Sequence, residues 1–224
     1  MMTLAFDLPR NRQANILLLG AHSDDIEIGC GATLVRLAAE QSAAQVHWVV
    51  FSAEGPRENE AISSAEEFLA GFADHRVVTH QFRDAYFPQQ ISEIKDVFEL
   101  LKEQVSPDLV FTHHGMDRHQ DHRVISELTW NTFRDHMILE YEVPKYDGGL
   151  GDPNVFVPVT REQCDRKTSA LLRHFQTQRN KHWFSSDLFA GLMRVRGLEG
   201  NSPSGLAEAF HCRKATLALA PHFE

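Results

Sequence analysis

Between Asn15 and Gly20 the chain places Ile16, Leu17, Leu18 and Leu19 with no polar residue among them. Successive side chains of an extended strand point to opposite faces, so a run without alternation needs cover on both faces. That points to the interior of a parallel sheet with helices packed on either side. Asp24 to Gly31 then reads as a glycine-containing turn, and Ala32 to Gln41 has helical composition, with Leu34, Val35, Leu37 and Ala38 as its apolar residues.

The order of strand, polar loop and helix recurs. A strand at Gln45 to Ser52, a turn at Glu54 to Arg57, a helix from about Glu60 to Phe72 and a short strand at Arg76 to Gln81 follow one another. Ile91, Ile94, Val97, Phe98, Leu101 and Val105 repeat at helical spacing, and Pro107 helps to stop that helix. Asp108 to Thr112 reads as a strand, Asp121 to Arg134 as a helix and Met137 to Glu142 as a fifth strand. The expected class is α/β, a Rossmann-like three-layer sandwich around a mostly parallel, doubly wound sheet.

After Glu142 the texture changes. Tyr146 to Pro158 gathers three glycines and two prolines in a loop-rich stretch, with helices expected at Arg161 to Phe175 and His182 to Val195 and a late strand at Leu206 to Cys212. With 224 residues, 42% of them hydrophobic, one domain spanning 1–224 is expected, its loop-rich portion 145–224 shaping the pocket. The opening Met1 to Gln13 lacks the apolar core of a signal peptide, and no run reaches the roughly 18 apolar residues of a membrane span.

A net charge of −9 disfavours nucleic acid as a partner. Cys30, Cys164 and Cys212 are widely spaced and odd in number, which argues against a disulfide framework and for a reducing cytoplasm.

Ligands of open parallel sheets bind at the carboxyl ends of the strands, where loops converge. The first strand delivers His22, Asp24, Asp25 and Glu27, the second Glu54 and Arg57, the third Arg83 and Asp84, and the fourth His113, His114, Asp117, His119, Asp121 and His122. One His-x-Asp-Asp tetrapeptide alone is more often a solvated turn. A second His/Asp cluster on the same edge changes the balance, because a catalytic zinc needs three His or carboxylate ligands and one open position. His22, one aspartate and one histidine of the second cluster meet that need, while the other aspartate is free to act as a base. Asp121 orients a ring or caps the helix. Glu27 divides evenly between supporting a ligand and offsetting a helix dipole. Neither His113 nor His114 is taken as a ligand; Cys30, Trp48, Trp130 and Trp183 read as packing.

With these residues in place, the sequence resembles the LmbE-like/PIG-L family of metal-dependent N-acetylglucosaminyl de-N-acetylases. The family's Ala-His-Pro-Asp-Asp-x-Glu-x-Gly-x-Gly-x-Thr stands here as Ala21-His22-Ser23-Asp24-Asp25-Ile26-Glu27-Ile28-Gly29-Cys30-Gly31-Ala32-Thr33, with Ser23 in place of Pro. Its Asp-x-His-x-Asp-His stands as Asp117-Arg118-His119-Gln120-Asp121-His122. Weaker resemblance runs through Arg57 to Glu60, Asp84, Pro153 to Pro158 and Ala207 to Phe210.

The resemblance implies His22, Asp25 and His122 as metal ligands and Asp24 as general base. It implies His119 as the protonated partner of the oxyanion or leaving amine, Asp121 as the holder of the His119 ring, and Arg57 and Asp84 as substrate contacts. It further implies zinc, or another divalent metal such as Fe, Mn or Co, and a small N-acetylated sugar or sugar conjugate as the substrate. The sequence admits a homo-oligomer. Two rivals use the same residues: a non-catalytic metal- or carbohydrate-binding protein, and a metal-dependent hydrolase of another bond. Intact base and proton-donor positions speak against the first, and the small number of carboxylates against a two-metal centre.

Overall fold

The computed structural model describes residues 11–216 together with residues 3, 5, 8 and 9. Its strands are β1 (Asn15–His22), β2 (Gln45–Ser52), β3 (Asp74–Thr79), β4 (Leu109–His113), β5 (Met137–Tyr141), β6 (Val155–Pro158) and β7 (Ala207–His211). Its helices are α1 (Asp25–Glu40), α2 (Pro56–Leu69), α3 (Ile91–Gln104), α4 (Gln120–Thr132), α5 (Arg161–His174) and α6 (Ser186–Glu199). All seven strands join one sheet in the order β3-β2-β1-β4-β5-β7-β6. β1 to β5 run parallel; β7 is antiparallel to β5 and to β6.

The sandwich expected from the sequence is the fold observed, and the run at Ile16 to Leu19 shows why. Ile16 and Leu18 enter one apolar core with residues of α1, α2 and α5, while Leu17 and Leu19 enter a second with residues of α3 and α4. β2 divides in the same way, Trp48 and Val50 to the first side, Val49 and Phe51 to the second.

The chain winds outward from β1 through β2 to β3, then returns to place β4 on the other flank of β1. The loops after β1 and β4 therefore leave in opposite directions and open a crevice between them, the place where open α/β sheets bind ligands.

Several boundaries differ from the sequence reading, four of them with a clear physical reason. α1 begins at Asp25 rather than Ala32, because the stretch read as a turn is helical and fully buried, with one non-helical residue at Cys30. α2 begins at Pro56, preceded by Gly55 at a φ of +58°. Pro suits a first helical turn, where its missing N–H has no partner to lose. α6 begins at Ser186, where the Ser185 hydroxyl accepts the Leu188 amide. Val155–Pro158, placed in the loop-rich stretch by its glycines and prolines, is an edge strand on β7, where a terminal Pro breaks no interior ladder.

Candidate metal centre

His22 is the last residue of β1 and Asp24 caps α1, so the site sits on a tight strand-to-helix turn. The Asp24 side chain makes no capping hydrogen bond, which leaves its carboxylate free for the pocket. Asp25 turns back instead, and its Oδ2 accepts the His22 amide at 2.7 Å. From the other side of the crevice, α4 brings His122 inward in its first turn.

Three acceptor atoms meet there. His22 Nδ1 lies 3.2 Å from Asp25 Oδ2 and 3.2 Å from His122 Nε2, and His122 Nε2 lies 3.4 Å from Asp25 Oδ2. Ligands held tetrahedrally at about 2.0–2.1 Å stand roughly 3.3 Å apart, so this triangle has the size of one face of a zinc tetrahedron. The residues fit the group: a carboxylate and two imidazole nitrogens converge at a spacing that a shared divalent cation would match. All three side chains are buried.

Each ring is oriented from behind. His122 Nδ1 lies 3.0 Å from Asp117 Oδ2, which also accepts from Lys145 Nζ at 2.6 Å. His22 Nε2 lies 3.3 Å from Asp121 Oδ2 and 3.1 Å from Asp84 Oδ1. The Asp121 carboxylate is anchored in turn by the amides of Ala85 and Phe87, at 2.6 and 3.1 Å. This corrects the expectation for Asp121: its carboxylate holds the ring of His22, whereas His119 is reached by the Asp121 backbone amide, which donates to Nδ1 at 3.2 Å. An imidazole that accepts at Nδ1 carries its proton on Nε2. Burial and the neighbouring His22 push the His119 pKa below its ordinary value, which also favours the neutral ring.

Asp24 is buried beside Asp25, and both influences raise its carboxyl pKa, against the pull of Arg57 and His22. Arg57 Nη2 lies 3.6 Å from Asp24 Oδ1, and its Nη1 lies 3.3 Å from Asp84 Oδ2. Arg57 and Asp84 thus touch each other and the site.

Glu27 sits in the first turn of α1 and makes no hydrogen bond to a candidate ligand. It is fully buried, neither oxygen has a hydrogen-bond partner among the described residues, and burial raises its carboxyl pKa above the ordinary value. His113 Nε2 accepts the Ala21 amide at 2.9 Å and lies 3.3 Å from Asp25 Oδ2, and its ring stacks on His122 with centroids 3.9 Å apart, so Asp25, His113 and His122 form a second group of donor atoms close enough to hold a cation.

Sequence reasoning missed three contributors. Asp117 opens the second motif, so its spacing was visible, but its task of orienting His122 was not. Lys145 lies in a stretch with no motif. Trp183 packs against the core, as read, and in addition lines the crevice with Tyr146, Gln178 and Lys181. No helix among the described residues is long and apolar enough to cross a membrane.

A family model described as PIG-L, GlcNAc-PI de-N-acetylase, matches residues 17–133. The "Uncharacterized deacetylase YaiS" of Escherichia coli strain K12 is 33% identical over 173 residues, 73% of this chain and 92% of that protein. Among solved structures, the N,N'-diacetylchitobiose deacetylase from Pyrococcus horikoshii aligns with a TM-score of 0.69 at 20% identity, over 92% of this chain and 87% of that one. GalB, the 4-carboxy-2-hydroxymuconate hydratase from Pseudomonas putida KT2440, aligns at 0.68 and 16% identity, over 93% and 100% of the two chains. At these identities the two structures speak for the fold alone, and a fold does not dictate one reaction.

Proposed function

The chain belongs to the PIG-L family, a metal-dependent hydrolase by that membership and by its His/Asp cluster, and on that premise we propose that it removes the acetyl group from an N-acetylated amino sugar or sugar conjugate. The observation that carries this reading is the triangle of His22 Nδ1, Asp25 Oδ2 and His122 Nε2, with a free carboxylate, Asp24, and a ring donor, His119, on the same crevice.

His22, Asp25 and His122 would hold the metal, for which zinc suits the nitrogen and oxygen donors, with Fe, Mn or Co as alternatives. A divalent ion held by these three residues would supply a Lewis acid that polarises the acetyl carbonyl and lowers the pKa of water. Asp24 accepts the proton of the attacking water. The Nε2–H of His119 donates to the developing oxyanion, the type of pre-positioned contact worth most in a dry site. A neutral His119 is a poor acid, so Asp24 returns its proton to the leaving amine. Arg57, in contact with both Asp24 and Asp84, orients the base; Asp84, exposed at the mouth, is available to a sugar hydroxyl.

Tyr146 and Trp183 support a carbohydrate in the crevice, because aromatic faces pack against the C–H faces of a sugar ring. The three free thiols suit a reducing compartment. The decisive experiment is acetate release from a panel of N-acetylhexosaminyl compounds, with and without a chelator. Release that stops on chelation and returns with zinc supports the reading; no chelator-sensitive release across a broad panel overturns it.

A further inference from the structure

α1 is broken at Cys30, whose φ of −142° and ψ of 15° lie outside the helical region. The segment before the break carries Asp24 as its cap and Asp25 as its first residue. In an unbroken helix the amides of Ala32 and Thr33 would donate to the carbonyls of Ile28 and Gly29. Here they donate to Glu208 of β7, Ala32 to Oε1 at 3.0 Å and Thr33 to Oε2 at 2.6 Å. Lys167 of α5 donates to the Ile28 carbonyl at 2.6 Å and to Glu208 Oε1 at 2.6 Å. A charged pair thus stands between the carbonyl before the break and the amides after it. Each side chain is only 3% exposed.

Apolar residues of similar size often serve a core as well as a buried ion pair does, because both ions must give up water. What such residues cannot do is satisfy the amides and the carbonyl at this break. The segment between Asp25 and Cys30 is also pressed from its other side. A Cβ on Gly29 would lie 2.2 Å from Cδ2 of Tyr141, so this backbone rests directly on that ring. The Tyr141 hydroxyl donates to the Leu19 carbonyl at 2.6 Å and lies 3.3 Å from His113 Nε2, which is itself 3.3 Å from Asp25 Oδ2. The short segment is therefore held at Ile28 by Lys167 and near Asp25 by the Tyr141 and His113 rings.

We infer that Lys167 and Glu208 are positioning residues of the metal centre: by bridging the break in α1 they set the orientation of the turn that presents Asp24 and Asp25. The inference rests on the reading of His22, Asp25 and His122 as ligands. A small shift at the break tilts the first turn and carries the Asp25 carboxylate out of a triangle whose sides are only 3.2–3.4 Å. Neither residue touches the ligand atoms, and Lys167 lies more than 130 positions along the chain from the turn it governs.

The test is zinc affinity, measured by competition with a chromophoric chelator, for the wild-type chain, Lys167→Met, Glu208→Gln and the conservative Lys167→Arg. Circular dichroism identifies the variants that fold. Folded Lys167→Met and Glu208→Gln should bind zinc about tenfold or more weakly, the scale of an indirect ligand-orienting contact, and Lys167→Arg should recover much of the loss. Parental affinity in folded variants overturns the inference alone; a wild-type chain that takes up no zinc overturns the ligand reading and the inference with it. Hydrogen exchange on the wild-type chain gives an arm that needs no variant. Linkage is reciprocal, so zinc should raise the protection of the Ala32 and Thr33 amides. Protection of those amides that is indifferent to zinc overturns the inference.

Discussion

His122 Nδ1 and Asp117 Oδ2 stand 3.0 Å apart, and this contact decides which nitrogen of the ring faces the metal centre. A carboxylate only accepts, so the proton of His122 lies on Nδ1 and the Nε2 lone pair is turned toward Asp25 and His22. The other Asp117 oxygen accepts the His119 amide at 2.7 Å, which joins the proposed ligand His122 and the proposed oxyanion donor His119 through one side chain. Asp117→Asn should lower zinc affinity about 10–100-fold, as loss of a ring-orienting carboxylate does. Chelator competition measures it, and an affinity equal to wild type would count against the role.

Asp24→Asn separates binding from chemistry. Asp24 lies outside the ligand triangle, so metal content should stay near one per chain while turnover falls by about 10²–10⁴-fold, the usual contribution of a general base. His22→Ala should release the metal. Elemental analysis beside an acetate assay distinguishes the two; undiminished turnover in Asp24→Asn removes it as the base.

Trp183 lines the crevice and offers no metal-ligating atom, so its loss should weaken substrate binding without slowing the chemical step. Trp183→Ala should raise KM about threefold to tenfold with kcat nearly kept, from the roughly 0.5–1.5 kcal/mol of one aromatic contact. A fall in kcat with KM constant would place Trp183 in a different role.

Glu142 and Arg196 should make stability depend on pH. Arg196 donates to both Glu142 oxygens, at 2.9 and 2.7 Å, and to the Gly151 carbonyl at 3.0 Å, which ties the loop after β5 to α6. Burial alone would raise the Glu142 pKa; contacts from His211 and Arg196 outweigh it and hold the carboxyl below its ordinary value. A group with a depressed folded pKa stabilises the fold above its unfolded pKa of about 4.3, and that contribution is lost as pH falls through the folded value. Arg196→Ala should cost about 3–5 kcal/mol at neutral pH, since it strands a buried carboxylate. Thermal melts should show the gap between variant and wild type closing as pH is lowered toward 3. A gap constant with pH would contradict the assignment.

Gly29→Ala puts a methyl group into the Tyr141 ring, with the nearest ring carbon 2.2 Å away. Overpacking of this kind costs about 1–3 kcal/mol. A melting temperature equal to wild type would mean that α1 moves off Tyr141 without penalty.

The run Ile16 to Leu19 and the recurring strand-and-helix pattern determined the class of fold, because burial on one or both faces leaves a local, periodic imprint. The two His/Asp motifs, in order and at strand ends, likewise determined which residues meet in the crevice. Helix starts were less legible: Gly29 and Gly31 suggested a turn, whereas the structure uses the missing Gly29 side chain to seat a helix on Tyr141. What only the tertiary structure decided are the partners of these groups. Asp121 meets His22 rather than the His119 ring, Asp117 and Lys145 fix His122, Trp183 reaches the crevice, and Lys167 and Glu208 bridge the break in α1. Each of these facts depends on the order of strands in the sheet and on which face each helix covers. Those relations join residues far apart in the chain, and no local periodicity records them.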